Sequence, residues 1–227
     1  MAATPDYDVV INRDGAIVII IRRWLQARAQ ADYPQILHDY LNTYLPWNQI
    51  DMNMYDKVVR IPRTMFFMGN NDVKTYGYSY VKFPMVSWDG TGNDSISKLC
   101  REVRTIRDYI QADPILYSTL SGNSLSFDSC LLNRYASGQE MISAHSDKEA
   151  LGPFNAVVTV SLGASREFIL KSKTKIGSRY ETIKTHLHNG DLVLMAGKCQ
   201  DQWTHAIPRD KTVITSRISL TYRLISK

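Results

Sequence analysis

Two stretches in the first half of the chain place apolar residues at the spacing of an amphipathic helix. From 33 to 44 they recur every third or fourth position, and Pro46 follows. Residues 95–110 show the same period, and Asp94 stands at the expected N-cap position. Apolar side chains at this period share one helical face, and a proline cannot continue a helix. We therefore predict two N-terminal helices, 33–44 and 95–110, that pack on a core.

Short apolar or alternating stretches dominate the rest of the chain. Ala16–Ile21 is rich in β-branched residues, is too short to cross a membrane and stops at Arg22, which predicts a buried strand. Six more predicted strands, separated by turn signals, cover 129–135, 156–162, 167–171, 180–188, 191–195 and 216–224. The dipeptide Asn189-Gly190 is typical of a tight hairpin between two of them.

Many short antiparallel strands in succession favour a jelly roll, in which two sheets face each other. The sequence predicts a mainly β (α+β) protein with one domain over 1–227. In this interpretation residues 1–124 supply helices and a lid, and residues 125–227 form a double-stranded β-helix core.

Composition narrows the class of protein. Three widely spaced cysteines favour a reducing compartment, and charged residues interrupt the N-terminal sequence where a secretion signal needs an apolar run. We therefore expect an intracellular protein, nuclear if the source is a eukaryote, with no membrane partner. The net charge of +5 suits a polyanion such as nucleic acid, although an ordinary soluble basic protein would show the same charge.

Two histidines and an aspartate have the residue types of a three-ligand iron site. His145 and Asp147 are two residues apart, so in a strand their side chains share a face, and His205 comes much later. Such a set leaves positions of Fe(II) open for a co-substrate and O₂. Arg217 and Arg223 also have even spacing, so both can reach one barrel interior and pair with a carboxylate.

Around these residues the chain resembles the AlkB family of Fe(II)/2-oxoglutarate dioxygenases, from about residue 54 to residue 223. The matching segments are N-R-Y-x-x-G at 133–138, H-x-D at 145–147, S-L-G-x-x-R-E-F at 161–168, G-D-L-x-x-M at 190–195, W-x-H-x-I-P at 203–208 and R-x-x-L-T-x-R at 217–223. So many short matches in one order are hard to obtain by chance.

The resemblance implies Fe(II), 2-oxoglutarate and O₂ as cofactor and co-substrates. It implies that His145, Asp147 and His205 bind iron. The residues that it assigns to 2-oxoglutarate are Asn133, Tyr135, Arg217, Thr221 and Arg223. Ser219 stands where the family usually has asparagine, so we expect somewhat weaker 2-oxoglutarate binding. Arg166 is expected to have a structural or substrate-side role, and His38, His186 and His188 are expected to be ordinary core histidines.

Within the family, the strongest resemblance is to the branch that repairs duplex DNA. Met54 and Tyr55 resemble a finger whose ring fills the gap left by a flipped base, although both also suit an ordinary core. The other residues assigned to substrate are Tyr78 and Tyr80 for stacking, Glu149 for a positively charged damaged base, and Arg209 and Lys211 for the undamaged strand. The basic stretch 171–179 suits phosphate contacts.

The activity implied is oxidative demethylation of bases such as 1-methyladenine and 3-methylcytosine in DNA, with release of formaldehyde, succinate and CO₂. The expected enzyme is a monomer that acts on double-stranded DNA in repair of alkylation damage. Two alternatives stay open. One is demethylation or hydroxylation of methylated bases in RNA or single strands, and the other is a catalytically silent AlkB-like nucleic-acid-binding module.

Overall fold

The computed structural model describes residues 6–54, 57–70, 75–78, 81–147 and 154–225, which form fifteen strands and four helices. The strands are β1 (Tyr7–Arg13), β2 (Ala16–Ile21), β3 (Asn48–Met54), β4 (Lys57–Gly69), β5 (Thr75–Tyr78), β6 (Val81–Pro84), β7 (Val86–Ser87), β8 (Ser129–Tyr135), β9 (Ile142–His145), β10 (Val157–Gly163), β11 (Arg166–Ile176), β12 (Arg179–Leu187), β13 (Leu192–Gly197), β14 (Trp203–Ile207) and β15 (Arg217–Arg223). The helices are α1 (Tyr33–Tyr44), α2 (Ser95–Gln111), α3 (Pro114–Thr119) and α4 (Cys199–Gln202).

Two antiparallel sheets form the body of the protein. The main sheet has the strand order β1-β2-β13-β10-β15-β8-β4-β3, with the short β7 parallel to β4. The minor sheet has the order β12-β11-β14-β9, and β5 pairs with β6 separately. This is the double-stranded β-helix predicted from the sequence, with α1, α2 and α3 packed on the outer face of the main sheet.

The faces of β15 show why one strand can serve both a core and a site. Ile218, Leu220 and Tyr222 belong to the large core that the helices cover. The alternate residues from Arg217 to Arg223 point to the opposite side, because successive side chains of a strand face opposite ways. The same alternation on β8 and β10 directs polar side chains between the two sheets.

Both predicted N-terminal helices are confirmed. Asp94 caps α2 by accepting a hydrogen bond from the Ser97 backbone N–H at 3.0 Å. The buried face of α2 consists of Leu99, Cys100, Val103, Ile106 and Ile110. Among the described residues, none of the helices combines the length and the apolar character needed to cross a bilayer.

The boundary expected at residue 125 needs correction, because β1, β2, β3 and β4 precede it and all belong to the main sheet. β2 pairs with β13, with Ile20 opposite Val193. Local patterns predicted β2 as a buried strand but gave no information on its distant partner, which is why the N-terminal part was assigned only helices and a lid.

The hairpin predicted at Asn189-Gly190 is wrong. β12 pairs with β11 in the minor sheet, whereas β13 pairs with β2 and β10 in the main sheet, so the turn carries the chain from one sheet to the other. Gly190 has a φ of 84°, and its N–H donates to the Ser161 carbonyl at 2.7 Å. The dipeptide therefore indicated a left-handed turn correctly, but a turn does not decide which strands pair.

The three histidines assigned to the core have different outcomes. His38 is buried and its Nε2 lies 3.0 Å from the Ser216 hydroxyl, which confirms the prediction. His186 and His188 are exposed, so the prediction is wrong for both. They belong to, or directly follow, β12, which is an edge strand of the minor sheet.

Candidate active site

A cavity lies between the two sheets. Its apolar lining comes from Leu131, Ile142, Phe168, Leu187, Val193, Met195 and Ile207. Its polar lining is Arg63, Asn133, Tyr135, His145, Asp147, Thr159, His205, Arg217, Ser219, Thr221 and Arg223. All eight residues that the sequence assigned to metal and 2-oxoglutarate therefore line the same cavity.

His145, Asp147 and His205 form a compact group at one end of this cavity. His145 on β9 pairs directly with His205 on β14, and their ring centroids are 4.2 Å apart. The Asp147 carboxylate lies 3.8 Å from His145 Nε2 and 3.6 Å from His205 Nε2. One ligand atom from each residue falls within 4.8 Å of the others, which is close enough for a single metal ion.

Both imidazoles are prepared to bind a cation. His145 Nδ1 lies 2.9 Å from the Ser143 carbonyl, to which it donates, so that Nε2 keeps its lone pair for a metal. Burial lowers the pKa of His205 to about 4 and also lowers the pKa of His145, although Asp147 opposes both shifts. The rings are therefore neutral near pH 7, which is the state in which imidazole coordinates.

Asp147 is held in its anionic form. Burial alone would raise the pKa of its carboxyl, but the electrostatic interaction and the hydrogen bond with Arg223, with smaller effects of His205 and His145, outweigh burial and lower it. Arg223 Nη2 donates to Asp147 Oδ1 at 2.5 Å, a charge-assisted hydrogen bond. Two neutral nitrogen ligands and one carboxylate match the facial set that binds Fe(II), so the residues present fit this metal.

Arg217 marks a second polar centre of the cavity. Its Nη2 donates to Ser161 Oγ at 2.8 Å, and its guanidinium carbon lies 5.5 Å from the centroid of the Tyr135 ring. Its Nε is buried and has no hydrogen-bond partner in the part of the chain that the structure describes. Burial lowers the pKa of Arg217 to about 10, so it remains cationic at neutral pH.

A buried cation without an acidic partner is costly unless a ligand supplies the negative charge. Within the described ranges, no acidic side chain forms an ion pair with Arg217. Arg217 and Arg223 belong to the same face of β15, and Arg223 contacts the metal-ligand group. The arrangement thus fits a dicarboxylate with one end at the metal and the other at Arg217.

Neutral hydrogen-bonding groups complete the wall of the cavity. Arg63 Nε donates to Asn133 Oδ1 at 2.7 Å, which leaves the amide N–H groups of Asn133 for a ligand. Thr159 and Thr221 are hydrogen-bonded through their hydroxyls at 3.3 Å. Arg63 and Ser161 were missed as site residues, although Ser161 opens the matched segment 161–168.

Arg166 has a structural role, one of the two alternatives that we expected for it. It is buried and donates to the backbone carbonyls of Ser137 at 3.2 Å, Glu140 at 2.8 Å and Pro208 at 2.6 Å. These bonds join the turn after β8 to the loop after β14. The guanidinium also lies over the Tyr135 ring, on which Arg217 packs as well.

The structure covers the predicted substrate residues only in part. Tyr55, Tyr80 and Glu149 lie outside the described residues. Met54 ends β3 and Tyr78 ends β5, but only their backbone is described.

Arg209 and Lys211 are exposed on the loop that follows β14, four and six residues after His205. This loop is fixed to Gly138 by two hydrogen bonds, from Asp210 N–H to the Gly138 carbonyl and from Gly138 N–H to the Val213 carbonyl, both 2.8 Å. The basic stretch 171–179 is largely exposed around the β11–β12 turn.

Comparison with known proteins agrees with this geometry. The family model of the 2OG-Fe(II) oxygenase superfamily matches residues 17–223. The chain is 26% identical to the DNA oxidative demethylase ALKBH2 of Arabidopsis thaliana over 93% of this chain and 67% of that protein. It is 32% identical to human ALKBH2 over 53% of this chain and 44% of that protein.

Other relatives carry different names. The mouse alpha-ketoglutarate-dependent dioxygenase alkB homolog 3 is 30% identical over 49% of this chain and 43% of that protein. The matches thus span from about two fifths to two thirds of the length of these curated relatives. The solved structure of OsALKBH1 has the same fold, with a TM-score of 0.57 at 20% identity over 96% of this chain and all of that one. The chain therefore belongs to the 2OG-Fe(II) oxygenase superfamily and, within it, to the AlkB-family dioxygenases.

Proposed function

We propose that this protein removes methyl groups oxidatively from alkylated bases in DNA, such as 1-methyladenine and 3-methylcytosine. The observation that carries the reaction class is one cavity that joins the His-Asp-His group to Arg217, a buried cation with no acidic partner among the described residues. The choice of DNA is supported by the Arabidopsis relative named a DNA oxidative demethylase, which aligns with 93% of this chain.

Bound Fe(II), with 2-oxoglutarate and O₂, supplies oxidation of the N-methyl C–H bond, and the products are formaldehyde, the restored base, succinate and CO₂. His145, Asp147 and His205 hold the metal. Arg223 balances the charge of Asp147 and reaches the co-substrate carboxylate nearest the metal. Arg217 pairs with the distal carboxylate.

Neutral groups then orient the co-substrate. We assign this role to Asn133, Tyr135 and Thr221, which line the cavity beside the two arginines. Asn133 is suited to it because Arg63 already occupies its carbonyl oxygen and thereby fixes which way its amide points. Apolar side chains such as Phe168 and Ile207 line the remaining wall and limit the space open to water.

On the substrate side, we assign phosphate contacts to Arg209 and Lys211, because they are exposed and lie on the loop that directly follows the β14 metal ligand. Tyr55 with Met54 is the proposed wedge, Tyr78 and Tyr80 the proposed stacking residues, and Glu149 the proposed contact to the cationic base. The net charge of +5 supports a nucleic-acid partner. Double-stranded DNA, a monomeric state and an intracellular, in a eukaryote nuclear, location remain parts of this proposal.

A second candidate is demethylation of methylated bases in RNA or single strands. It is supported by matches to alkB homolog 3, whose name specifies no DNA, at a level similar to those of the mammalian ALKBH2 proteins. A catalytically silent binding module is disfavoured, because all three metal-ligand residues are present and close together.

The test is mass spectrometry on four matched oligonucleotides, single- and double-stranded, in DNA and in RNA, each with one methylated base. They are incubated with the protein, Fe(II), ascorbate and 2-oxoglutarate at one salt concentration, because phosphate contacts vary with salt. We expect duplex DNA to lose its methyl group fastest.

Loss of the methyl group mainly from RNA or from single strands would select the second candidate. No loss from any of the four, in a sample that still consumes 2-oxoglutarate, would contradict nucleic-acid demethylation as a whole. The matched control is Asp147→Ala, which lacks a metal ligand.

A further inference from the structure

Asp147 lies beyond the end of β9, where strand pairing no longer fixes the backbone. It follows the end of β9 by two residues, and the last β9–β14 pair on that side is His145 with His205. Nevertheless Asp147 is buried, and its carboxylate must face both imidazoles. Another part of the protein must therefore fix its backbone.

Gln200 on α4 provides this support. Its Oε1 accepts a hydrogen bond from the Asp147 backbone N–H at 2.9 Å. A backbone N–H can only donate, so the oxygen of the carboxamide must face Asp147. The Nε2 end lies 3.8 Å from the Met195 sulfur, and Met195 lines the cavity. Gln200 is itself 8% exposed, so a buried polar side chain meets a buried N–H that would otherwise lack a partner.

Two more contacts strengthen the connection. Ser146 Oγ donates to the Trp203 carbonyl at 2.9 Å, which ties the residue before Asp147 to the start of β14. Lys173 Nζ donates to the Gln200 carbonyl at 2.6 Å and so fixes the main chain of α4 from β11.

The segment from Gln200 to His205 thus carries one metal ligand and also holds the backbone of another. Both tasks fall within six consecutive residues, with Gln200 in α4 and His205 in β14.

We propose that Gln200 is a positioning residue for the iron site, which sets the Asp147 carboxylate against the two imidazoles through the Asp147 backbone. This inference rests on the metal site and not on the identity of the nucleic-acid substrate. Partners that orient metal ligands typically change metal affinity about 10–100-fold when they are removed. Gln200 acts through the backbone and not on a ligating atom, so we expect an effect of about tenfold.

The experiment titrates Co(II) into the metal-free protein and records the affinity and the visible absorption of the bound ion, which reports its ligand geometry. Gln200→Met has a similar size but replaces the carboxamide oxygen with a thioether, which is only a weak acceptor for the Asp147 N–H. We expect it to bind Co(II) about tenfold more weakly, with an altered spectrum. The matched control is Gln202→Met on the same helix, where the lost bond goes to the Asp14 carbonyl, and it should behave like wild type.

A merely structural glutamine would lower the unfolding temperature of the metal-free protein without changing the spectrum or affinity of bound Co(II). That result, or an equal loss in Gln202→Met, would overturn the proposal. If Gln200→Met does not fold, Gln200→Asn takes its place as the test of the proposal. Its side chain is shorter by one carbon–carbon bond, so the amide oxygen lies farther from the Asp147 N–H, and Co(II) binding should weaken in the same way. Asp147→Ala tests the metal site itself: wild-type Co(II) binding there would refute the ligand assignment.

Discussion

Arg217 connects a single side chain most clearly to the ligand that the site requires. The free protein buries its guanidinium, lowers its pKa to about 10 and leaves its Nε without a partner among the described residues. Such a group adds little to the stability of the free protein, because desolvation of a charge opposes folding. The Arg217 guanidinium instead stabilises the complex that forms when a carboxylate binds.

Replacing Arg217 should therefore affect the stability of the free protein and its binding of 2-oxoglutarate differently. Arg217→Met should leave the unfolding temperature of the free protein equal to or above that of wild type, because it removes a buried cation that has no acidic partner among the described residues. The same change should raise the 2-oxoglutarate concentration needed for half-maximal turnover roughly ten- to hundredfold, since a charge-assisted pair contributes about 1.5–3 kcal/mol.

Thermal unfolding and a 2-oxoglutarate titration measure the two effects. Ser219→Asn, which restores the residue usual in the family, serves as the comparison and should need the same concentration as wild type or less. A normal 2-oxoglutarate requirement in Arg217→Met would show that the distal carboxylate binds elsewhere.

At the residue scale, even spacing pairs His145 with Asp147 and Arg217 with Arg223, whereas the full set of ligand assignments came from the family resemblance. The residues that hydrogen-bond to these ligands, Arg63 and Ser161, could not be predicted in this way. Arg63 and Asn133 are 70 positions apart, and Arg217 and Ser161 are 56 apart, so each pair meets only through the pairing of distant strands. No local pattern contains this information.

At the scale of elements, the sequence patterns predicted the two long helices, α1 and α2, and seven of the fifteen described strands, but not which strands pair. The boundaries of α1, β2, β8 and β15 agree with the sequence to within a residue or so, because each has either an apolar run or a regular apolar period. The strands β1, β3 to β7, β9 and β14 and the short helices α3 and α4 were not predicted. The turn at Asn189-Gly190 joins two sheets, since pairing is decided by packing over the whole molecule.

Gly138 shows how one position controls a loop. A Cβ there would lie 1.7 Å from the Asp210 carbonyl oxygen, a backbone atom on the loop that carries Arg209 and Lys211. Gly138→Ala should therefore push this loop away and lower the free energy of unfolding by about 1–3 kcal/mol. Chemical denaturation measures the change.

The control for Gly138→Ala is Gly90→Ala, where the nearest atom would be the Ser87 carbonyl oxygen at 3.8 Å. It should change the free energy of unfolding by no more than about 0.5 kcal/mol. Equal effects of the two substitutions would mean that the close contact at Gly138 has no special importance.

At the scale of the whole molecule, two sheets enclose the chemistry, and exposed basic residues on the loop after β14 and at the β11–β12 turn are available for a polyanion. If Arg209 and Lys211 each neutralise a DNA phosphate, replacing both with alanine should reduce the slope of log affinity against log salt by about 2. Lys98→Ala on α2, which packs on the other side of the main sheet, is the control and should leave the slope unchanged. An unchanged slope in the double variant would remove this loop from the interface.

Preference for the duplex is predicted to depend on Tyr55, which lies outside the described residues. Its ring should fill the gap left by a flipped base, and base–aromatic stacking contributes about 1–3 kcal/mol. Tyr55→Ala should therefore lose on the order of tenfold in rate on duplex DNA and almost nothing on single strands. Tyr55→Phe keeps the ring and should retain both rates. Equal losses on the two substrates in Tyr55→Ala would make Tyr55 an ordinary core residue.

We propose that the cavity between the sheets couples consumption of 2-oxoglutarate to removal of a methyl group from a base in DNA. The most direct measurement quantifies succinate, formaldehyde and restored base together, on duplex DNA with a single 3-methylcytosine. We predict that the three products appear in equal amounts and that all three are absent with His145→Ala or Asp147→Ala, although both variants remain folded. Succinate formed without formaldehyde or restored base, or product formation by either variant with iron controlled, would contradict the claim.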